Sequence, residues 1–250
     1  MTDVDGALTG FAAMDEAALS RPWTYRGKPM DVRYALYRTL EDAQEAQVDL
    51  AARHHPEPRR ILALAQRSFG DLRGLLTGLP EQLLGRPPRE GEWSVRETLG
   101  HVLAVERRYA MQTLYAVERA ESDPVRIPPE RLPPLTSPGT DAGELLAHIA
   151  EARAQTNRSL GSIGPAAMTR PTPWAQYDVD VRFRLHRFAA HVIEHTLQCE
   201  KALAQLGWAP TEGRAIVRRL TALLGEIEGL GGLADAKAVE ARLVERFAAL

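Results

Sequence analysis

The chain has 250 residues, 44% hydrophobic and 26% charged, which suits a water-soluble globular fold with a substantial core. A formal charge of −2 offers no basic footprint for nucleic acid or an anionic membrane. The single cysteine, Cys199, excludes an internal disulfide framework and points to a reducing compartment.

Residues 1–30 are rich in small residues and read as an irregular arm. Asp3, Asp5, Asp15 and Glu16 within them argue against a signal peptide. No apolar run nears the roughly 20 residues of a bilayer span, so a cytoplasmic location is expected. Asp31 can cap a helix running to about His55, where Pro56 stops it. A second helix over about 57–79 carries a stripe at Leu62, Ala65, Phe69, Leu72, Leu76 and Leu79. Ser94 and Glu97 form a capping box that opens a third, reaching about Ala120.

Between 122 and 140 stand six prolines (124, 128, 129, 133, 134 and 138), which cannot occupy a helix interior. They make a crossover long enough for consecutive helices to run parallel. A fourth helix follows from Asp141 to about Leu160, and residues 164–178 read as irregular. The alternation in DVDVRFRL lacks a partner strand and is assigned to the next helix, about Asp180 to Leu206, closed by Gly207 and Pro210. Two shorter helices, about 211–229 and 235–249, finish the chain.

Neither strands nor an internal repeat of fixed period is evident. The expected fold is all-α, a four-helix bundle with an additional N-terminal helix and two short C-terminal helices. The expected division is an arm and additional helix over 1–56, the bundle over 57–207 and a helical extension over 208–250.

His191 and His195 lie four residues apart, so both project from one face of their helix. His101, beside core positions of another helix, is the candidate third ligand of a divalent ion. Three histidine ligands would leave an open coordination position, the mark of a catalytic rather than a closed site. The spacing alone is weak, and buried histidines satisfied by their neighbours compete with the metal reading. Glu97, one turn before His101, is a candidate outer partner for a ligand nitrogen. Gln198 shares the His191 face, where it either hydrogen-bonds a metal-bound water or substrate or packs at the bundle end. Cys199 reads chiefly as a small buried hydrophobe, and Trp93 as core packing or a pocket wall. Arg182, Arg184, Arg187, Arg107 and Arg108 could recognise an anion, though a solvated helix face accounts for them more simply. His191 to His195 also fits H-x-x-E-H, the inverzincin pattern, but the strands and downstream ligand that mechanism needs are missing.

EWSVRETLGHV followed by RFAAHVIEHTLQ resembles the DinB/YfiT-like superfamily of metal-dependent enzymes, over roughly residues 57–207. The matching elements are Trp93-Ser94-Val95 opening a helix, His101 within it, and the histidine pair with Thr196 and Gln198. The resemblance implies a four-helix bundle in which His101, His191 and His195 hold one divalent ion, zinc or nickel first, with manganese or iron as alternatives. It further implies a thiol-dependent transferase or isomerase using a low-molecular-weight thiol, or a hydrolase. The alternative is a non-catalytic metal-binding or stress-associated interaction protein. The expected partner is a small-molecule substrate, with no nucleic acid and no membrane, and a homodimer is left open.

Overall fold

The computed structural model describes residues 3–134 and 141–250. Pro138 of the crossover lies outside the described residues. The elements in chain order are α1 (Val4–Ala12), α2 (Glu16–Leu19), β1 (Pro22–Tyr25), β2 (Lys28–Asp31), α3 (Val32–Ala51), α4 (Glu57–Leu76), α5 (Glu81–Leu84) and α6 (Val95–Glu118). Then come α7 (Ala142–Leu160), α8 (Pro165–Met168), β3 (Pro171–Trp174), β4 (Tyr177–Asp180), α9 (Val181–Gln205), α10 (Glu212–Gly229) and α11 (Leu233–Ala248). The fold is mostly helical, and no helix among the described residues is long and apolar enough to cross a membrane.

Helix starts follow their caps. The carboxylates of Asp31, Asp141 and Asp180 each accept from the backbone N–H three residues on. Both halves of the Ser94–Glu97 capping box are present.

Helices α4, α6, α7 and α9 form the bundle that carries the histidines. Val95 and Leu99 share a core with Ala142 and Leu145, and Ala116 shares one with Leu160. Between these levels Arg153 meets Glu106. The pairing advances in the same sense along both helices, so α6 and α7 run parallel, as the crossover permits. Ile61 packs near Val181 and Leu75 near Leu203, so α4 and α9 are parallel too.

Two departures from the sequence reading stand out. Residues 4–31 form α1, α2 and a hairpin, and residues 165–180 form α8 and a second hairpin. DVD therefore belongs to a strand: β4 pairs antiparallel with β3, as β2 pairs with β1. Strands of four residues broken by prolines give no useful alternation. The first turn is Arg26-Gly27, both at positive φ, and the second places Ala175 there, a residue type that carries no turn signal.

The second departure is an internal repeat. At a constant offset of 149, Arg21-Pro22 matches Arg170-Pro171 and Asp31-Val32-Arg33 matches Asp180-Val181-Arg182. Each copy is a short helix, a hairpin and a long helix with the same register. In each, the valine after the cap donates to the arginine before the hairpin, at 3.0 Å for Val32 and 3.1 Å for Val181. The packing repeats as well. Helix α3 lies on α10 and α11, and α1 on the same pair, as α9 and α7 lie on α4 and α6. The segments from the two ends of the chain thus share one core, containing Phe11, Leu36, Val217, Leu220 and Leu243.

The two halves meet where α4 crosses α10, and glycine sets the distance. A Cβ on Gly70 would lie 2.2 Å from the Thr221 carbonyl oxygen, and one on Gly225 2.5 Å from that of Gln66. Gly74 faces the Arg218 backbone and Gly229 that of Ala63 in the same way. The exchange of partners makes the crossing a pseudo-two-fold contact.

Candidate metal centre

Helices α6 and α9 run antiparallel, and their facing sides bring His101, His191 and His195 together. The Nε2 atoms of His191 and His101 are 3.3 Å apart, and those of His195 and His191 are 3.0 Å apart. The ligating atoms of all three lie within 4.8 Å of one another, the one such cluster of histidine, cysteine and carboxylate donors among the described residues.

His191 is buried and the other two are half-buried. Burial, then the neighbouring His195 and His101, push the His191 pKa down to about 3. Burial, then His195, lowers that of His101. These two rings are accordingly held neutral, the form that binds a metal.

Gln198 Oε1 lies 2.8 Å from His195 Nδ1, so Nδ1 carries the proton and donates. The Nε2 lone pair of His195 then faces the cluster. Gln198 thus sits behind a candidate ligand, orienting its ring. Trp93, 43% exposed, lies over His101 with ring centroids 5.1 Å apart and walls the site on one side. Tyr109, 5.6 Å from His191, walls it on the other.

The donor set fits a divalent ion. Nitrogens bound at about 2.0–2.1 Å around a tetrahedral ion stand about 3.3 Å apart, close to the two shorter separations here. Three facing imidazole nitrogens cannot satisfy one another by hydrogen bonds alone, since each neutral ring has a single N–H.

Glu97 and Arg184 depart from the sequence reading, whereas Cys199 matches it. Glu97 does not reach His101, because its carboxylate accepts from the Ser94 backbone N–H at 2.8 Å and from the Ser94 hydroxyl at 2.7 Å. Cys199 is fully buried, and burial pushes its thiol up to about 12, so it is inert packing. Glu194 turns outward to Arg187. Arg182 is half-exposed and paired with Glu57, but Arg184, read as solvated, is buried at 4% exposure. Its apolar neighbours Val181, Leu185 and Phe188 share its burial, a breadth of buried face that arginine in the sequence conceals.

At the corresponding place in the repeat the two α9 histidines have no counterpart. Asp42 stands at the His191 position and Ala46 at the His195 position. The Asp42 carboxylate is held by Arg246 at 2.7 Å, Arg38 at 3.0 Å and Arg242 at 3.4 Å.

A family model for the DinB superfamily matches residues 64–199, more than half of the chain, and the chain belongs to that superfamily. Among solved structures it is similar to YfiT from Bacillus subtilis, described as a probable metal-dependent hydrolase with an unusual four-helix bundle topology. The identity is 15% and the TM-score 0.50, over 63% of this chain and 92% of that one, a likeness of fold. No curated protein matches the chain.

Proposed function

We propose that this chain is a metal-dependent enzyme acting on a small molecule, with His101, His191 and His195 as the protein ligands of one divalent ion. Zinc or nickel suits an all-imidazole set best. The observation that carries the reading is the approach of three imidazole Nε2 atoms to 3.0 and 3.3 Å on a partly open face. Residues 57–207 are the catalytic unit in this reading, with 1–56 and 208–250 as its support.

When bound, such an ion supplies Lewis acidity, polarising a substrate oxygen and acidifying a water or thiol nucleophile. The chain's own residues do the rest. Gln198 fixes the tautomer and angle of His195, and Trp93 and Tyr109 bound the space into which a substrate fits. Glu97, Glu106 and Glu194 are all engaged elsewhere, by Ser94, Arg153 and Arg187. Among the described residues no carboxylate joins the histidine cluster, which suits a nucleophile acidified before attack.

Hydrolysis is the leading reaction, in keeping with the description of the Bacillus subtilis neighbour. Transfer involving a low-molecular-weight thiol is the second reading, favoured by the same absence of a carboxylate from the cluster, since a thiol needs less help to ionise than water.

The test is metal content by inductively coupled plasma mass spectrometry, with and without reconstitution, beside ester, amide and phosphate hydrolysis screens run with and without thiol. About one equivalent is expected in the native chain and none in folded His101→Ala or His195→Ala. Gln198→Leu should keep the ion with an affinity about 10–100-fold weaker. A folded native chain that takes up no ion refutes the reading. Uptake without turnover of any substrate would replace it with non-catalytic metal binding.

A further inference from the structure

Beside the triad, across Tyr109, opens a second cleft of about 350 Å³, between the later turns of α6, the crossover and the β3–β4 hairpin. Arg108, Arg126 and Arg184 line it, with Tyr109, Gln112 and Trp174. No aspartate or glutamate does, and residues 1–2 and 135–140 contain none. Each arginine spends an N–H on a neutral oxygen: Arg108 on the Pro133 carbonyl at 2.8 Å, Arg126 on the Ala175 carbonyl at 3.0 Å, and Arg184 on the Gln112 amide.

Arg184 is the decisive member. It is 4% exposed and its Nε has no hydrogen-bond partner. Burial lowers its guanidinium pKa to about 10; Tyr109 opposes the shift and Arg126 adds to it. A buried cation without a counter-charge is costly; Arg119 and Arg214 are buried on backbone carbonyls in the same way, but neither lines this cleft. Arg153, fully buried in the same bundle, is paired with Glu106. At Arg184 the fold supplies two further guanidinium-bearing side chains instead of a carboxylate.

We propose that this cleft is an oxyanion subsite that takes a carboxylate or phosphate group of a small molecule whose other end reaches the histidine triad. Guanidinium groups offer the forked donors such groups need, and the volume is that of a small-ligand pocket. Trp174 and Tyr109 supply aromatic walls for the body of the molecule. Arg184 precedes His191 by seven residues, about 10 Å along the helix. The Tyr109 ring spans the gap, its centroid 5.4 Å from the Arg184 guanidinium carbon and 5.6 Å from the His191 ring. The substrate class is thus an anion whose charged group lies about 10 Å from the reacting bond. Anion binding stands on the cleft alone, whereas its service to the triad rests on the proposed metal-dependent reading.

The experiment is calorimetric titration of inorganic phosphate and of benzoate at low ionic strength into the full chain. The variants are Arg126→Gln, Arg53→Gln and His195→Ala, with metal content measured on the same samples. Arg126 is exposed, so its replacement should leave the fold intact. Binding of at least one anion is expected, weakened about tenfold or more in Arg126→Gln. It should be unchanged in Arg53→Gln and retained in His195→Ala. The stronger of the two probes identifies the group. No binding by the native chain, or equal binding by Arg126→Gln, overturns the subsite. Loss in His195→Ala would put the anion at the triad, overturning the subsite while leaving the metal reading intact. Retained cleft binding in a chain that takes up no metal would do the reverse.

Discussion

Replacing Arg153 by methionine removes the cation from a fully enclosed ion pair that ties α7 to the helix bearing His101. Arg153 Nη1 donates to Glu106 at 3.0 Å, Thr156 Oγ1 donates to the same carboxylate oxygen at 2.8 Å, and Glu106 is 3% exposed. At 3.0 Å and an effective dielectric near 20, the attraction is about 5–6 kcal/mol. Desolvating two ions costs several kcal/mol apiece, so the intact pair contributes little net stability. The single substitution is different, because it leaves Glu106 charged, buried and supported by one hydroxyl. That costs about 3–5 kcal/mol, or about 6–20 °C in Tm at the 2–4 °C per kcal/mol usual for a chain of this length. The companion Glu106→Gln/Arg153→Met removes both charges and should recover most of the loss. Urea denaturation followed by circular dichroism at pH 7 measures all three proteins. The reasoning fails if Arg153→Met lies within about 1 kcal/mol of the native chain, or if the double variant is no more stable than the single.

Gly70→Ala should destabilise despite alanine's better helix propensity, because the new methyl group meets the backbone of Thr221 rather than a movable side chain. A net loss of about 1–3 kcal/mol is expected in thermal melts, against a neutral or slightly stabilised Gly164→Ala, whose Cβ meets nothing within 4 Å. An unchanged Tm for Gly70→Ala would show that α4 and α10 are not held this closely. Asp42 gives a pH prediction. Burial alone would raise its pKa, but the close guanidinium of Arg246 and the hydrogen bond from Arg38 outweigh it and hold the carboxyl below its usual value. Its contribution is therefore complete above the unfolded carboxylate pKa of about 3.9 and fades as pH falls through the lower folded value. Asp42→Asn should lower the urea midpoint at pH 7, with the gap to the native chain closing below about pH 4; a gap independent of pH would refute this.

The triad was legible because its signals are local: a four-residue spacing on one helix, a capping box that fixes where the other begins, and a motif order joining them. Helix spans followed their caps for the same reason, as at Asp141 and Ser94. What escaped depended on distant contacts. Helix α1 contains Gly6 and Gly10, poor helix formers, yet it packs on α10 and α11, with the Phe247 ring lying directly against Gly10. Glu97 had two plausible partners one turn away, and only geometry shows that Ser94 takes both its bonds. The repeat went unseen because its copies share few identities outside the arginine-proline and aspartate-valine-arginine runs. Its second bundle also draws helices from opposite ends of the chain. The arginine cleft was hidden by the usual expectation that arginine faces water.

The pseudo-two-fold crossing has a consequence for stoichiometry. In a symmetric pair of separate bundles, every substitution occurs twice, and neither centre can be given up without the other. Joined in one chain, the two halves are free to differ in sequence. Here one keeps three imidazoles, while the other fills the matching place with Asp42 and its arginine partners. That second place supplies its own positive charge from guanidinium groups, so it has no call for an ion. Among the described residues the chain therefore offers one three-histidine donor set to two bundles, and the partner bundle meets the first through the close packing of α10 on α4.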